Sequence, residues 1–214
     1  MYTLYGAQGS GSAAIEAALA LCDARSKLVK AASWEPDAGF EALLRVNPLG
    51  LVPTLVLPDG SVLTESAAIL MHLADAHPAS GLLPASDAAS GPQIARSQAM
   101  RGLLYIAAHC YAAIGIIDYP ERWCTPCDDA TKERIRAGTR ARLHRHWEIF
   151  ADMFAGRPYL SGDDLGALDL LAAVVSRWSG TRAHVEKARP AFHATLKRIE
   201  SHPRVAAVFA RHWP

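Results

Sequence analysis

The chain has 214 residues, 50% hydrophobic and 20% charged, a balance that suits a globule with a sizeable core and argues against disorder. Its 22 Lys and Arg stand against 21 Asp and Glu, a net charge of +1, so no overall field attracts nucleic acid or an anionic membrane and partners must be recognised locally. The length fits one large domain or two small ones, and two is the starting expectation.

Met1-Tyr2-Thr3-Leu4-Tyr5 opens without a basic region and apolar stretch, so no signal peptide is expected. No apolar run reaches the ~20 residues of a bilayer span, and a cytoplasmic protein is expected. In that setting Cys22, Cys110, Cys124 and Cys127 read as reduced thiols rather than a disulfide framework.

The first part alternates. Residues 2–5 read as a strand, 6–11 as a glycine-rich turn and 12–24 as an alanine-rich helix. Residues 27–32 can form a second strand, and 38–46 a short helix closed by Asn47-Pro48, because proline cannot continue it. Residues 54–57 and 61–63, joined by the Pro58-Asp59-Gly60 turn, make a hairpin, and Ser66 starts a helix reaching about residue 77. The order βαβα then ββα describes a thioredoxin-like domain with a four-stranded mixed sheet.

Residues 79–91, rich in Pro, Ala, Ser, Gly and Asp, read as a linker between a first domain at 1–78 and a second at 92–214. Beyond it only helical patterns recur, at 93–117, 128–154, 167–178, 191–200 and 204–211. The second domain is therefore expected to be an all-α helical bundle, with Trp147, Phe150 and Phe154 in its core by their helical spacing.

The most informative stretch runs from Asn47 through Leu51-Val52-Pro53 to Glu65-Ser66. Pro53 sits immediately before a strand that must lie inside a sheet, where a cis bond turns the chain and leaves the Val52 backbone free. Free N–H and C=O groups there can pair with an extended peptide, as an added strand does. At Glu65-Ser66 a strand hands over to a helix whose N–H groups and partial positive charge suit a carboxylate, while the Glu65 carboxylate suits an ammonium group. The pair can thus hold an amino-acid head group. Taken alone, it also reads as an N-cap serine beside a solvated first-turn acid.

The span from Asn47 to Asp75 resembles the glutathione-binding segment of the cytosolic glutathione transferases, bacterial type, and the resemblance extends more weakly over the whole chain. It implies that Val52 and Pro53 pair with the cysteinyl backbone of glutathione and that Glu65 and Ser66 hold its γ-glutamyl head group. It also implies a detoxifying homodimer that needs no metal and directs glutathione, as co-substrate, at a small hydrophobic electrophile. Leu51 stands at a glutathione-binding position that is often polar in the family and offers no side-chain hydrogen bond. Residues 159–169 resemble a family helix-capping segment, with Gly166 where Ser or Thr is usual; Asp169 can still reach back to the Gly166 N–H.

Activation of the thiol requires a donor near the sulfur, and the turn from Gly6 to Ser12 lies where the family keeps one. Ser10 and Ser12 are the catalytic candidates, Ser10 the preferred. A hydroxyl beside the helix N-terminus stabilises thiolate over thiol. Either serine can instead cap the helix. Tyr5 lies one residue out of register with the tyrosine that some branches use.

Trp123-Cys124-Thr125-Pro126-Cys127 has the spacing of a redox motif but lies between helices, and it reads as an interhelical loop. A structural zinc site would need two further ligands. The basic run over residues 132–146 distributes its charge around a helix and reads as a solvated or subunit-facing surface rather than a nucleic-acid site. Tyr105 and His109, four apart, are candidates for the second-substrate pocket, against an alternative role in packing. The alternative functions on the same fold are a non-catalytic glutathione-binding or scaffold protein and a glutathione-dependent isomerase, peroxidase or dehalogenase.

Overall fold

The computed structural model describes residues 1–32, 34–35, 37–85, 93–156 and 158–214. Its first part contains β1 (Tyr2–Gly6), α1 (Ser12–Leu21), β2 (Ser26–Lys30), α2 (Ala38–Val46), β3 (Thr54–Val56), β4 (Val62–Leu63) and α3 (Ser66–Ala76), in the predicted order. The strands form one sheet in the order β2-β1-β3-β4. β1 runs parallel to β2, with Tyr2 opposite Ser26, which requires the crossover that α1 supplies. It runs antiparallel to β3, with Leu4 opposite Leu55, and β4 pairs antiparallel with β3. This is the thioredoxin-like arrangement expected.

Burial alternates along β1, which puts Tyr2 and Leu4 in the core. α1 is buried through Ala13, Ala14, Ala17 and Ala18. Side chains that small let it pack against α3, α7 and α10, and a single hydrophobic core therefore runs through both parts of the chain.

The second part contains α4 (Gln93–Tyr105), a π-helical segment (Ile106–Tyr111), α5 (Ala112–Asp118), α6 (Asp129–Met153), α7 (Ala167–Val175), α8 (Thr181–Ala188), α9 (Pro190–Glu200) and α10 (Ala206–His212). Trp147 and Phe150 are fully buried and Phe154 nearly so, with the Trp147 and Phe150 rings edge-to-face at 5.3 Å. The predicted helix over 93–117 is interrupted by the π segment. α8 escapes the pattern because it is short and polar, entered through Gly180 at φ +76°.

Residues 86–91 of the predicted linker lie outside the described residues. Earlier in that stretch Leu82 and Leu83 are buried, and the Ala167 N–H donates to the Leu82 carbonyl at 2.8 Å. The capping segment is as expected: the Gly166 N–H donates to Asp169 Oδ2 at 3.1 Å, and the Leu160 and Ser161 N–H groups donate to the same carboxylate. A Cβ at Gly166 would stand 2.4 Å from Ser161 Oγ, which is why glycine occupies this cap.

Two expectations change. The helical run Ala95–Asp118 is long and apolar enough, by length and composition, to cross a membrane; its segments pack against α6 and α7, the setting of a core helix. Cys124 and Cys127 are joined as a disulfide, with Cα atoms 5.5 Å apart, so only Cys22 and Cys110 are free thiols. The expectation of four reduced thiols rested on compartment, whereas the three-residue spacing in a turn brings this pair within bridging distance.

Candidate functional site

The turn between β1 and α1 is closed by its own serines. Ser10 Oγ accepts the N–H groups of Ala7 at 3.3 Å and Ser12 at 3.2 Å, and it lies 2.8 Å from Ser12 Oγ. Ser12 Oγ can instead donate to the Ala7 carbonyl at 3.3 Å. Ser10 is buried but reaches a cavity wall. Ser12 is fully buried behind it and lines no described cavity. Gly9, at φ +71°, provides the left-handed residue that this turn needs.

The segment leading into β3 is held by a buried polar knot. Asn47 Nδ2 donates to the Leu51 carbonyl at 3.2 Å and to Thr54 Oγ1 at 2.9 Å, and the Thr54 hydroxyl donates to the same carbonyl at 2.8 Å. Both side chains are nearly or fully buried, so the knot fixes the path of Leu51-Val52-Pro53. The Val52–Pro53 bond is cis, as the sequence predicts. The Val52 N–H and C=O have no partner among the described residues.

Glu65 begins α3 at φ 62°, ψ 110°, a conformation that a residue with a Cβ adopts only under strain and that recurs at functional sites. Its carboxylate is exposed and has no salt bridge or hydrogen bond among the described residues. Ser66 is buried at the first helical position, and its hydroxyl is likewise unpartnered.

These groups meet at two cavities. One, of about 320 Å³, is lined by Leu51, Val52, Pro53, Thr64, Glu65, Ser66, Tyr111 and their neighbours. The other, of about 530 Å³, is lined by Gly9, Ser10 and Gly11 on one side and by Trp34, Ile114, Tyr119 and Trp178 on the other. Leu51, Val52 and Tyr111 belong to both walls, so the cavities adjoin. The first offers a backbone strand edge with a carboxylate and a hydroxyl, and the second is largely aromatic and aliphatic. A third depression, of about 360 Å³, lies between Asp152, Arg189 and Thr195 and shares no lining residue with them.

Tyr111 is the residue lining both cavities that sequence reasoning misses. It ends the π segment, and such segments frequently mark functional sites because they shift the helical register. Its ring stacks on Trp178 at 5.6 Å, and its hydroxyl lies close against the Gly11 backbone. A Cβ at Gly11 would stand 2.1 Å from that oxygen, so glycine is required for the approach. Burial pushes the Tyr111 hydroxyl up to about 12, with the Glu65 charge adding to the effect and the Gly11 N–H opposing it. The hydroxyl therefore keeps its proton at neutral pH, and no acceptor for that proton occurs among the described residues.

Tyr105 and His109 are not brought to either cavity. The Tyr105 hydroxyl donates to the His146 carbonyl at 3.0 Å, and its ring meets those of His109 at 4.8 Å and Phe150 at 5.8 Å. Tyr5 lies in β1 opposite Val29 and Thr54 and lines neither cavity.

Comparison with known proteins gives a consistent picture. Residues 12–76 match the family model described as the N-terminal domain of glutathione S-transferase. The chain is 29% identical over 180 residues to the uncharacterized GST-like protein YncG of Escherichia coli K12, covering 83% of this chain and 82% of that one. It is also 29% identical to glutathione S-transferase GstA of Escherichia coli O157:H7, over 63% of this chain and 60% of that relative. Among solved structures, a glutathione transferase homolog from Sulfitobacter with bound glutathione superposes with a TM-score of 0.83 at 25% identity, covering 97% of this chain and 96% of that one.

Proposed function

The chain belongs to the bacterial-type glutathione S-transferase family, and from that premise we propose that it binds glutathione in the cavity between Val52 and Ser66 and activates the thiol for attack on a hydrophobic electrophile. The observation that carries this reading is the convergence of unpartnered groups on one cavity: the Val52 backbone, the Glu65 carboxylate and the Ser66 hydroxyl. Val52 pairs with the peptide backbone as an added strand would. Glu65 takes the ammonium of the γ-glutamyl group, and Ser66 with the α3 N-terminus takes its carboxylate.

In this reading the sulfur lies where the two cavities join, facing Ser10 and Tyr111. A hydroxyl donor there stabilises the thiolate without accepting its proton. The electrophile occupies the wall formed by Trp34, Ile114, Tyr119 and Trp178, which supplies apolar contact for an aromatic or alkyl group. Two copies associate about a closed two-fold axis, the commonest symmetry of soluble oligomers.

A second reading, glutathione binding without turnover, is favoured by one observation: the Ser10 and Ser12 hydroxyls bond to each other. Calorimetric titration with glutathione, followed by an ultraviolet difference scan for bound thiolate, separates the two. Binding with thiolate absorbance supports the enzyme, binding without it supports the second reading, and absence of binding overturns both.

A further inference from the structure

Cys124 and Cys127 lie outside the site described above, in the turn between the short helical turn Pro120–Arg122 and α6. We propose that this pair is a reversible thiol–disulfide exchange site whose co-substrate is a low-molecular-weight thiol. The proposal does not depend on glutathione occupying the cleft.

Three observations carry it. Both cysteines are partly accessible, and Trp123, Thr125 and Pro126 around them are exposed, so a small thiolate can approach the bridge. Of the other cysteines, Cys110 is fully buried, whereas Cys22 is as accessible as the pair but has no cysteine beside it, and burial pushes both of those thiols up. The bridge also closes a very short loop, which constrains the unfolded chain far less than a long one. Its effect is therefore local rather than a brace for the whole fold.

The two sulfurs are not equivalent. Cys124 Sγ lies 3.9 Å from the Pro120 carbonyl, a contact that suits a thiol and offers nothing to an anion. Cys127 immediately precedes Asp128, the N-cap of the 25-residue α6, and a thiolate there gains from the positive end of the helix. The nearby carboxylates are engaged: Asp128 accepts the Thr131 N–H at 2.7 Å, and Asp129 accepts from Lys132 Nζ at 2.9 Å.

The incoming thiolate accordingly attacks the Cys124 sulfur. A mixed disulfide forms there, the bridge breaks, and Cys127 leaves as the thiolate. A second thiolate attacks the sulfur of the bound thiol, giving its disulfide and releasing the Cys124 thiolate. Two thiols are oxidised to one disulfide, and the two electrons reduce the protein pair. The bridged turn follows the helical turn in which the Arg122 guanidinium lies over the Tyr119 ring, 4.0 Å from its centroid, and Tyr119 lines the larger cavity.

The test poises the full-length protein in mixtures of reduced and oxidised glutathione, quenches with acid, alkylates, and reads intact and peptide masses. The expected result is that positions 124 and 127 gain label together as the reduced fraction rises, with Cys22 and Cys110 indifferent to the ratio. In Cys127→Ser, glutathione should be trapped on Cys124. A pair that stays closed in excess reduced glutathione, or alkylates fully in excess oxidised glutathione, overturns the proposal, as does stoichiometric zinc retained by the reduced protein.

Discussion

The backbone N–H of Gly9 donates to Nδ1 of His212 at 3.1 Å, tying the turn after β1 to the last helix. Because Nδ1 accepts, the ring proton sits on Nε2, which donates to Glu16 Oε2 at 2.9 Å. Arg211 pairs with the same carboxylate, and its carbonyl accepts Gln8 Nε2 at 2.9 Å. His212 is almost fully buried, so His212→Ala leaves the Gly9 N–H and Glu16 short of a partner. The expected cost is ~1–3 kcal/mol of stability, read from urea denaturation. A midpoint equal to the parent's would show that α10 is not a brace for the Ser10 turn.

The same cluster sets an acid limit. Burial pushes the Glu16 carboxyl up, but hydrogen bonds from His212 and Arg211 outweigh it and hold the group below its ordinary value. A depressed folded-state value contributes stability above the unfolded value of about 4.3, and that contribution disappears as pH falls through the folded value. Stability of the parent should therefore decline on acidification below about pH 4.5. Glu16→Gln, which cannot titrate, should lose stability at pH 7 and show a shallower decline. Parallel pH profiles for the two proteins would contradict the assignment.

Glu65 tests the head-group assignment. Its carboxylate has no partner within the described residues, so Glu65→Ala removes little from the folded protein while deleting a charged hydrogen bond to the ligand. Glutathione affinity should fall by at least ~1.5 kcal/mol, the scale of such a bond. Unchanged affinity by calorimetry would remove Glu65 from the binding site.

How much of this was legible in the sequence follows from how local each feature is. The strand–turn–helix order, the cis bond at Pro53 and the Asp169 bond to Gly166 are set by neighbours within a few residues. Tyr105 and His109 are four apart on one helical face and were expected at the pocket, but that face packs on His146 and Phe150 of α6. The π segment then shifts the register, so Tyr111 rather than His109 reaches the cleft. Its partners, Gly11 and Trp178, lie far away in the sequence on either side, and no periodicity links them. α8 was missed because a short polar helix has no apolar stripe to detect.

Tyr111→Phe tests the residue that joins the cavities. The substitution keeps the ring stacked on Trp178 but removes a side-chain hydroxyl donor from the wall that both cavities share. A charge-assisted hydrogen bond is worth ~1.5–3 kcal/mol, so kcat/KM for conjugation should fall about 10- to 100-fold. Loss confined to KM would place the hydroxyl on a glutathione carboxylate, and loss in kcat would place it at the sulfur. A change of less than about twofold in kcat/KM would leave Tyr111 with packing alone.

The serines provide the last test, because their geometry assigns them different parts. Ser10 reaches the cavity wall, whereas Ser12 is sealed behind it, 2.8 Å from Ser10 Oγ. When Ser12 donates to Ser10, the Ser10 proton is free to point at a sulfur in the cavity. When Ser12 donates to the Ala7 carbonyl instead, the Ser10 proton is drawn back toward Ser12. Bound glutathione thiolate favours the first arrangement, since an anion attracts the donor that faces it. Loss of one oxyanion-type donor commonly costs about 10²–10³ in rate. Ser10→Ala should therefore raise the bound thiol's pKa, diminish thiolate absorbance near neutral pH and slow conjugation of a reactive aryl halide far more than it weakens glutathione binding. Ser12→Ala, acting only through Ser10, should be the weaker of the two in rate and the more costly in stability, because its hydroxyl lies wholly within the fold. If both single variants and the double variant keep the parent's thiolate absorbance and rate, serine activation is wrong, and Tyr111 with the backbone N–H groups of the turn becomes the source of the stabilisation.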